Sequence, residues 1–147
     1  MLRMKILKWV FIAAVLIQVI PYGHTHTNPS GNKEPAWDSP QTRELFHRAC
    51  FDCHSNRTVW PWYSNIAPVS WLVQSDVDDG RRHLNFTEWS APQRHAEDVA
   101  GQVKQGDMPP WFYLPMHPRA KLTATETQAL IDGAEKSLGP QVVAASR

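Results

Sequence analysis

Cysteine is scarce in this chain: there are two among 147 residues, and they stand three positions apart. With no third cysteine, whatever chemistry the pair performs it performs together. The chain also lacks a charge imbalance. Setting aside residues 1–22, which hold Arg3, Lys5 and Lys8, leaves 12 basic against 14 acidic residues in the remaining 125, and without a basic face a nucleic acid partner is excluded. Internal repeats are missing, and no stretch alternates apolar and polar residues as a strand would. An all-α class follows. Nor is there a clustered set of acid, base and nucleophile to act on a substrate.

What is present starts with the cysteines, which fall in Cys50-Phe51-Asp52-Cys53-His54. A CxxCH pentapeptide reads as covalent attachment of a c-type haem. Two thiols at this spacing lie on one face of a helical turn, where both reach the vinyl groups of one porphyrin. His54, four residues after Cys50, comes up beneath the iron as its proximal ligand. A redox disulfide would belong to a strand-then-helix context, and nothing before Cys50 alternates like a strand. A structural zinc site drawn from His47, Cys50, Cys53 and His54 would crowd four ligands into one stretch, whereas such sites gather two separated pairs.

Covalent haem attachment takes place outside the bacterial inner membrane, so the chain needs an export signal. Arg3, Lys5 and Lys8 precede an apolar run from Trp9 to Ile20 broken only by Gln18, the layout of a secretory signal. No small-x-small cleavage site follows, so residues 1–22 read as a signal-anchor, or as a signal peptide if cleaved. The basic end would be cytoplasmic and the rest periplasmic, anchored to the inner membrane. The run is short against the roughly 20 apolar residues of a span.

Residues 23–36 are rich in Pro, Gly, Asn, Thr and His and read as a solvated linker, with His24 and His26 assigned no role. Residues 37–139 form the haem-binding domain of about four helices, and 140–147 a tail. The first helix is capped by Ser39, has Pro40 at its first position and runs into the CxxCH. Along it Phe46, Cys50, Cys53 and His54 share a face. After an aromatic loop, Trp60-Pro61-Trp62-Tyr63, Pro68 opens a second helix with Val69, Leu72, Val73 and Val77 as its stripe, closed by Gly80. Ser90 caps a third, with Gln93 three residues on and Ala96, Val99, Ala100 and Val103 inward, ending at Gly106. Thr123 and Glu126 box the last helix, whose buried side is Leu130, Ile131, Ala134 and Leu138, and which stops at Gly139-Pro140. The seven tryptophans and twelve prolines suit a small helical protein built around a large flat cofactor.

An electron-carrying haem iron takes a sixth ligand. Met108 stands in Gly106-Asp107-Met108-Pro109-Pro110-Trp111, a loop stiffened by two prolines, and a thioether there would raise the iron's potential. His117 is the runner-up and would make a low-potential bis-histidine centre, while His83 and His95 read as exposed side chains. Arg57, Arg81 and Arg82 can pair with haem carboxylates or stay as surface charges.

The order of CxxCH, Met-Pro-Pro and closing helix resembles small class I cytochromes c. More specifically, Trp37-Asp38-Ser39-Pro40, the stretch Arg48 to Asn56, Trp60-Pro61-Trp62-Tyr63, Ala67-Pro68-Val69-Ser70-Trp71, Asn85-Phe86 and Gly106 to Trp111 resemble the bacterial haem-binding domain family. That resemblance implies one haem c attached through Cys50 and Cys53 with His54 as ligand, and it aligns Met108 with the family's Met-Pro-Pro position. The expected function is a membrane-tethered mono-haem cytochrome passing electrons to a redox partner protein in the membrane or periplasm, rather than a substrate-converting enzyme. The alternatives are a haem enzyme reducing peroxide, or a gas or redox sensor, with His83, His95 or Arg81 as distal groups. A third is an interaction module in which Trp60, Trp62, Trp71 and Trp111 meet a partner.

Overall fold

Ser39 is extended, and its side chain accepts the Thr42 N–H while Pro40 takes the first helical position. That cap starts the helix that carries the pentapeptide. A computed structural model describes residues 2–139 of the chain and is helical, with no named strand among the described residues. The helices are α1 (Leu2–Leu16), α2 (Pro40–Ala49), α3 (Phe51–His54), α4 (Val69–His83), α5 (Val99–Gln105) and α6 (Ala124–Leu138). The expected 140–147 tail and the Pro140 helix stop lie outside the described residues.

α2 buries Thr42, Leu45, Phe46 and Ala49, an i, i+3, i+4, i+7 stripe. It packs against α6, where Gly133 lies so close to Thr42 that a Cβ there would overlap the threonine side chain. α6 has the expected capping box: Thr123 Oγ1 accepts the Glu126 N–H, and Glu126 Oε2 accepts the Thr123 N–H. Leu130, Ile131, Ala134 and Leu138 are all buried, as the stripe predicts. The core joins these to Phe51, Leu84, Phe86 and Val103. Trp37 leans on Phe46 at 4.6 Å between ring centroids, and Phe46 meets Phe86 edge-on at 5.0 Å, both within the range of favourable aromatic pairs.

The structure differs from the sequence reading in four places. The first helix is broken at Cys50, whose φ of −127° leaves the helical region, so the pentapeptide has its own short turn, α3. α4 does not stop at Gly80 but runs to His83, and its buried side is Ser70, Gln74, Val77 and Gly80. Val69 and Leu72 instead face outward, because Gly80 is where α4 passes against the backbone of Cys53; a Cβ there would stand 2.5 Å from the Cys53 carbonyl oxygen. Ser90 caps nothing among the elements described. The Gln93 side chain turns back to donate to the Glu88 and Ala91 carbonyls and to accept the Asn85 N–H, so regular structure starts only at Ala96. Finally, residues 23–36 are not a free linker. The Lys33 N–H donates to the Thr87 carbonyl, and the Trp89 N–H to that of Lys33. Glu34 sits between Arg43 and Arg57, each 2.7 Å away.

α1 buries none of its residues. No helix of the described residues is long and apolar enough to cross a membrane.

Burial works against the Glu34 charge, but hydrogen bonds from Arg43 and Trp37 and the charges of Arg43 and Arg57 outweigh it and hold the carboxyl at about 2. A depressed carboxyl stabilises the fold above its unfolded value of 4.5 and loses that contribution as pH falls toward 2. Glu34→Gln is therefore expected to flatten the acid limb of a stability-versus-pH curve between those values, measured by urea unfolding. Gly80→Ala is expected to destabilise by about 1–3 kcal/mol through overpacking. Gly101→Ala, whose added Cβ meets only the Gln105 side chain at 3.7 Å, is expected to leave the urea midpoint unchanged or raise it.

Candidate functional site

α3 is held by α4 and by the chain that follows it. The Phe86 N–H donates to the His54 carbonyl at 2.8 Å, and His54 Nδ1 lies 3.1 Å from the Leu84 carbonyl oxygen. A carbonyl only accepts, so Nδ1 carries the proton and Nε2 keeps its lone pair free. Burial, above all, pushes the His54 pKa down and keeps the ring neutral. A neutral imidazole oriented through its other nitrogen is how a metal-ligating histidine is prepared.

The two thiols share this environment. Burial drives both Cys50 and Cys53 up to about 12, helped at Cys50 by the neighbouring Cys53 and at Cys53 by Asp76 and Asp52. Redox-active CxxC pairs depend on the opposite shift, a depressed thiol pKa.

In front of α3 lie two adjoining cavities of about 280 and 410 Å³, the size range of cofactor pockets. Ala49, Cys50, His54, His83 and Met108 line both. The smaller one continues over Leu84, Phe86, Val99 and Val103 into the core. The larger one includes Cys53 and ends against Pro110, Phe112 and Tyr113. Cys50, Cys53, His54 and Met108 thus meet on one groove.

Met108 arrives there by a turn written in the sequence. Gly106 adopts a positive φ of 81° at the end of α5, a conformation glycine takes without strain. The Asp107 and Met108 N–H groups then both donate to the Gln102 carbonyl, which folds the loop back over the groove. A second tie holds its far end: the Tyr113 hydroxyl donates to Asp52 Oδ2 at 2.6 Å, while Asp52 Oδ1 accepts the Val59 N–H at 3.1 Å. Burial, then this bond, raises the Tyr113 pKa, so the phenol stays protonated and donating.

His117 stands away from the groove. Its Nδ1 faces the Tyr113 carbonyl at 3.0 Å, its Nε2 the Tyr63 hydroxyl at 3.2 Å, and its ring stacks on Tyr113 at 3.7 Å. Both of its nitrogens are engaged. His83 and His95, read from sequence as merely exposed, also line the smaller cavity, with ring centroids 5.6 Å apart. Nothing in their spacing revealed this; it depends on α4 continuing past Gly80. Arg57, Arg81 and Arg82 do not line either cavity. Arg57 pairs with Glu34, Arg82 with Asp79, and Arg81 donates to the Ser55 and Thr27 carbonyls and to Asn28 and Thr58. Of the four tryptophans offered as a partner surface, Trp62 and Trp111 are strongly exposed, while Trp60 and Trp71 are half-buried with indole nitrogens sealed from solvent.

A protein-family model described as a haem-binding domain matches residues 12–136. No curated protein and no solved structure matches the chain significantly.

Tyr113→Phe removes a hydrogen bond to a carboxylate and leaves Asp52 half-satisfied, which is expected to cost about 1–3 kcal/mol in unfolding free energy. Trp111→Phe, two loop positions away but exposed, is expected to change it by less than about 0.5 kcal/mol. Urea denaturation of both variants checks the contrast.

Proposed function

The chain belongs to the haem-binding domain family, and from that premise we propose that it is a mono-haem c-type cytochrome that carries electrons. The observation behind this reading is the shared groove of Cys50, Cys53, His54 and Met108. These residues fit a covalently held haem. Cys50 lines a mostly apolar cavity that continues over Leu84, Phe86 and Val103, Cys53 lines the cavity adjoining it, and His54 lines both, hydrogen-bonded through Nδ1 alone. Thioether formation adds each S–H across a vinyl group and needs no oxidant. Cys50 and Cys53 would hold the porphyrin, and His54 and Met108 would bind the iron.

Bound there, haem supplies one reversible electron. The protein's part is to set its potential and limit its reactions. The Leu84 carbonyl accepting from His54 Nδ1 raises the basicity of the ligand nitrogen, whereas a methionine thioether favours the reduced iron. With both His54 and Met108 as ligands the site would favour transfer of electrons to a protein partner over binding of a substrate.

We place the protein at the periplasmic face of the inner membrane, tethered by α1. Its basic residues Arg3, Lys5 and Lys8 precede an apolar surface with Trp9 and Phe11 both about 70% exposed, which suits a lipid environment. A tether raises the local concentration of the domain near a membrane-bound redox partner.

His83 and His95 on the smaller cavity favour a second reading, in which the distal position is open and these imidazoles act as acid–base groups for peroxide reduction or gas sensing. Absorption spectra separate the two. For the electron carrier, protein produced with a haem-attachment system is expected to be low-spin and inert to carbon monoxide, and Met108→Ala to become high-spin, bind carbon monoxide and lose its methionine charge-transfer band. A wild type that binds carbon monoxide at once and turns over peroxide, with turnover lost in His83→Gln or His95→Gln, would establish the enzyme instead.

A further inference from the structure

Gln18 is the one polar residue in the apolar run at the start of the chain, and its side chain is committed to the domain rather than to solvent. Its Nε2 donates to the Ala67 carbonyl at 2.9 Å, and its Oε1 accepts the Ala67 N–H at 3.0 Å. The paired bonds dock the short turn that follows α1, Ile17–Val19, on Ala67, two residues before α4. Gly23 reinforces the joint. It has a positive φ of 80°, and a Cβ there would collide with the Ser70 carbonyl, so the chain lies directly on the first turn of α4. The helix therefore meets the domain at a fixed place.

The residues around that place are apolar and exposed. Ile66 and Val69 flank Ala67, Leu72 follows one turn later on the outer side of α4, and Trp62 stands on the short turn before them; Trp62 is 70% and Leu72 65% exposed. The sequence stripe had these valine and leucine positions pointing inward. The fold has turned them out, around the place where the turn that follows α1 docks on Ala67.

The tether's length gives the patch a meaning. At about 1.5 Å per residue a 15-residue α1 reaches roughly 22 Å, short of the ~30 Å of a bilayer's hydrocarbon core. A short apolar helix is accommodated when flanking groups settle into the interface, and tryptophan with aliphatic neighbours is suited to that depth. We propose that Trp62, Ile66, Val69 and Leu72 rest in the lipid interface, so that the domain lies on the membrane in one orientation instead of swinging from its tether. This inference rests on the reading of α1 as a membrane tether.

Three tryptophans let one experiment test both. The full-length haem-loaded protein is reconstituted into vesicles of phosphatidylethanolamine and phosphatidylglycerol, exposed to hydroxyl radicals, and mapped by peptide mass spectrometry. Trp9 reports the tether, Trp62 the patch, and Trp111, 80% exposed beside the groove, the open surface. The expected result is oxidation of Trp9 and Trp62 several-fold slower than that of Trp111, with Leu72→Glu and Val69→Glu restoring the Trp62 rate while the haem spectrum stays the same. Protection of Trp9 with Trp62 reacting as fast as Trp111 overturns the patch and leaves the tether. Fast reaction of all three overturns the tether, and the patch with it.

Discussion

The passage of α4 across the backbone of Cys53 at Gly80 is the contact on which the site depends. Two backbones approach this closely only where one residue has no side chain, and here that residue stands within a helix, where glycine lowers helix stability. The close approach has consequences on each side of it. One residue on, Arg81 fixes the chain after the pentapeptide through Ser55 and Thr58 and the segment 23–36 through Thr27 and Asn28. Three residues on, His83 reaches the groove. Four residues on, the Leu84 carbonyl receives the His54 ring. His54 is therefore oriented by the residue that closes α4, elsewhere in the chain, and not by the motif that contains it.

Much of the architecture could be read in the residues, for reasons that are local. Ser39 with Pro40, Thr123 with Glu126, and Gly106 are signals whose partners lie within a few residues, so each marked an element's end without knowledge of the fold. The stripe of α6 was equally legible because one apolar face served one core. α4 was misread because its sequence offers two stripes: Val69, Leu72 and Val73 are more hydrophobic than Ser70, Gln74 and Gly80, but packing selects for closeness as well as for apolar area. The linker was misread because composition describes what a segment cannot bury on its own, whereas Lys33 and Glu34 are fastened by distant partners, Thr87, Trp89, Arg43 and Arg57. At the site, the pentapeptide and the Met-Pro-Pro loop stood out by chemistry. Tyr113, Leu84 and His83 did not, since what they contribute is a hydroxyl, a carbonyl and a position.

The distribution of polar bonds also separates residues that look alike. His54 and His117 each set Nδ1 against a backbone carbonyl, at 3.1 and 3.0 Å. The difference lies at the other nitrogen, which faces a cavity in one and the hydroxyl of Tyr63 in the other. Availability of that second nitrogen, more than spacing along the chain, marks which histidine can take a ligand role.

The two residues between the cysteines are usually treated as spacers. Here Phe51 is 2% exposed and belongs to the core, and Asp52 gathers the Val59 N–H and the Tyr113 hydroxyl. A segment whose thiols and histidine line a groove while its spacers knit three stretches of backbone is not an interchangeable cassette. Grafting the corresponding residues of an unrelated protein, even with both sulfurs and the imidazole kept, would remove a keystone of the host along with its spacer.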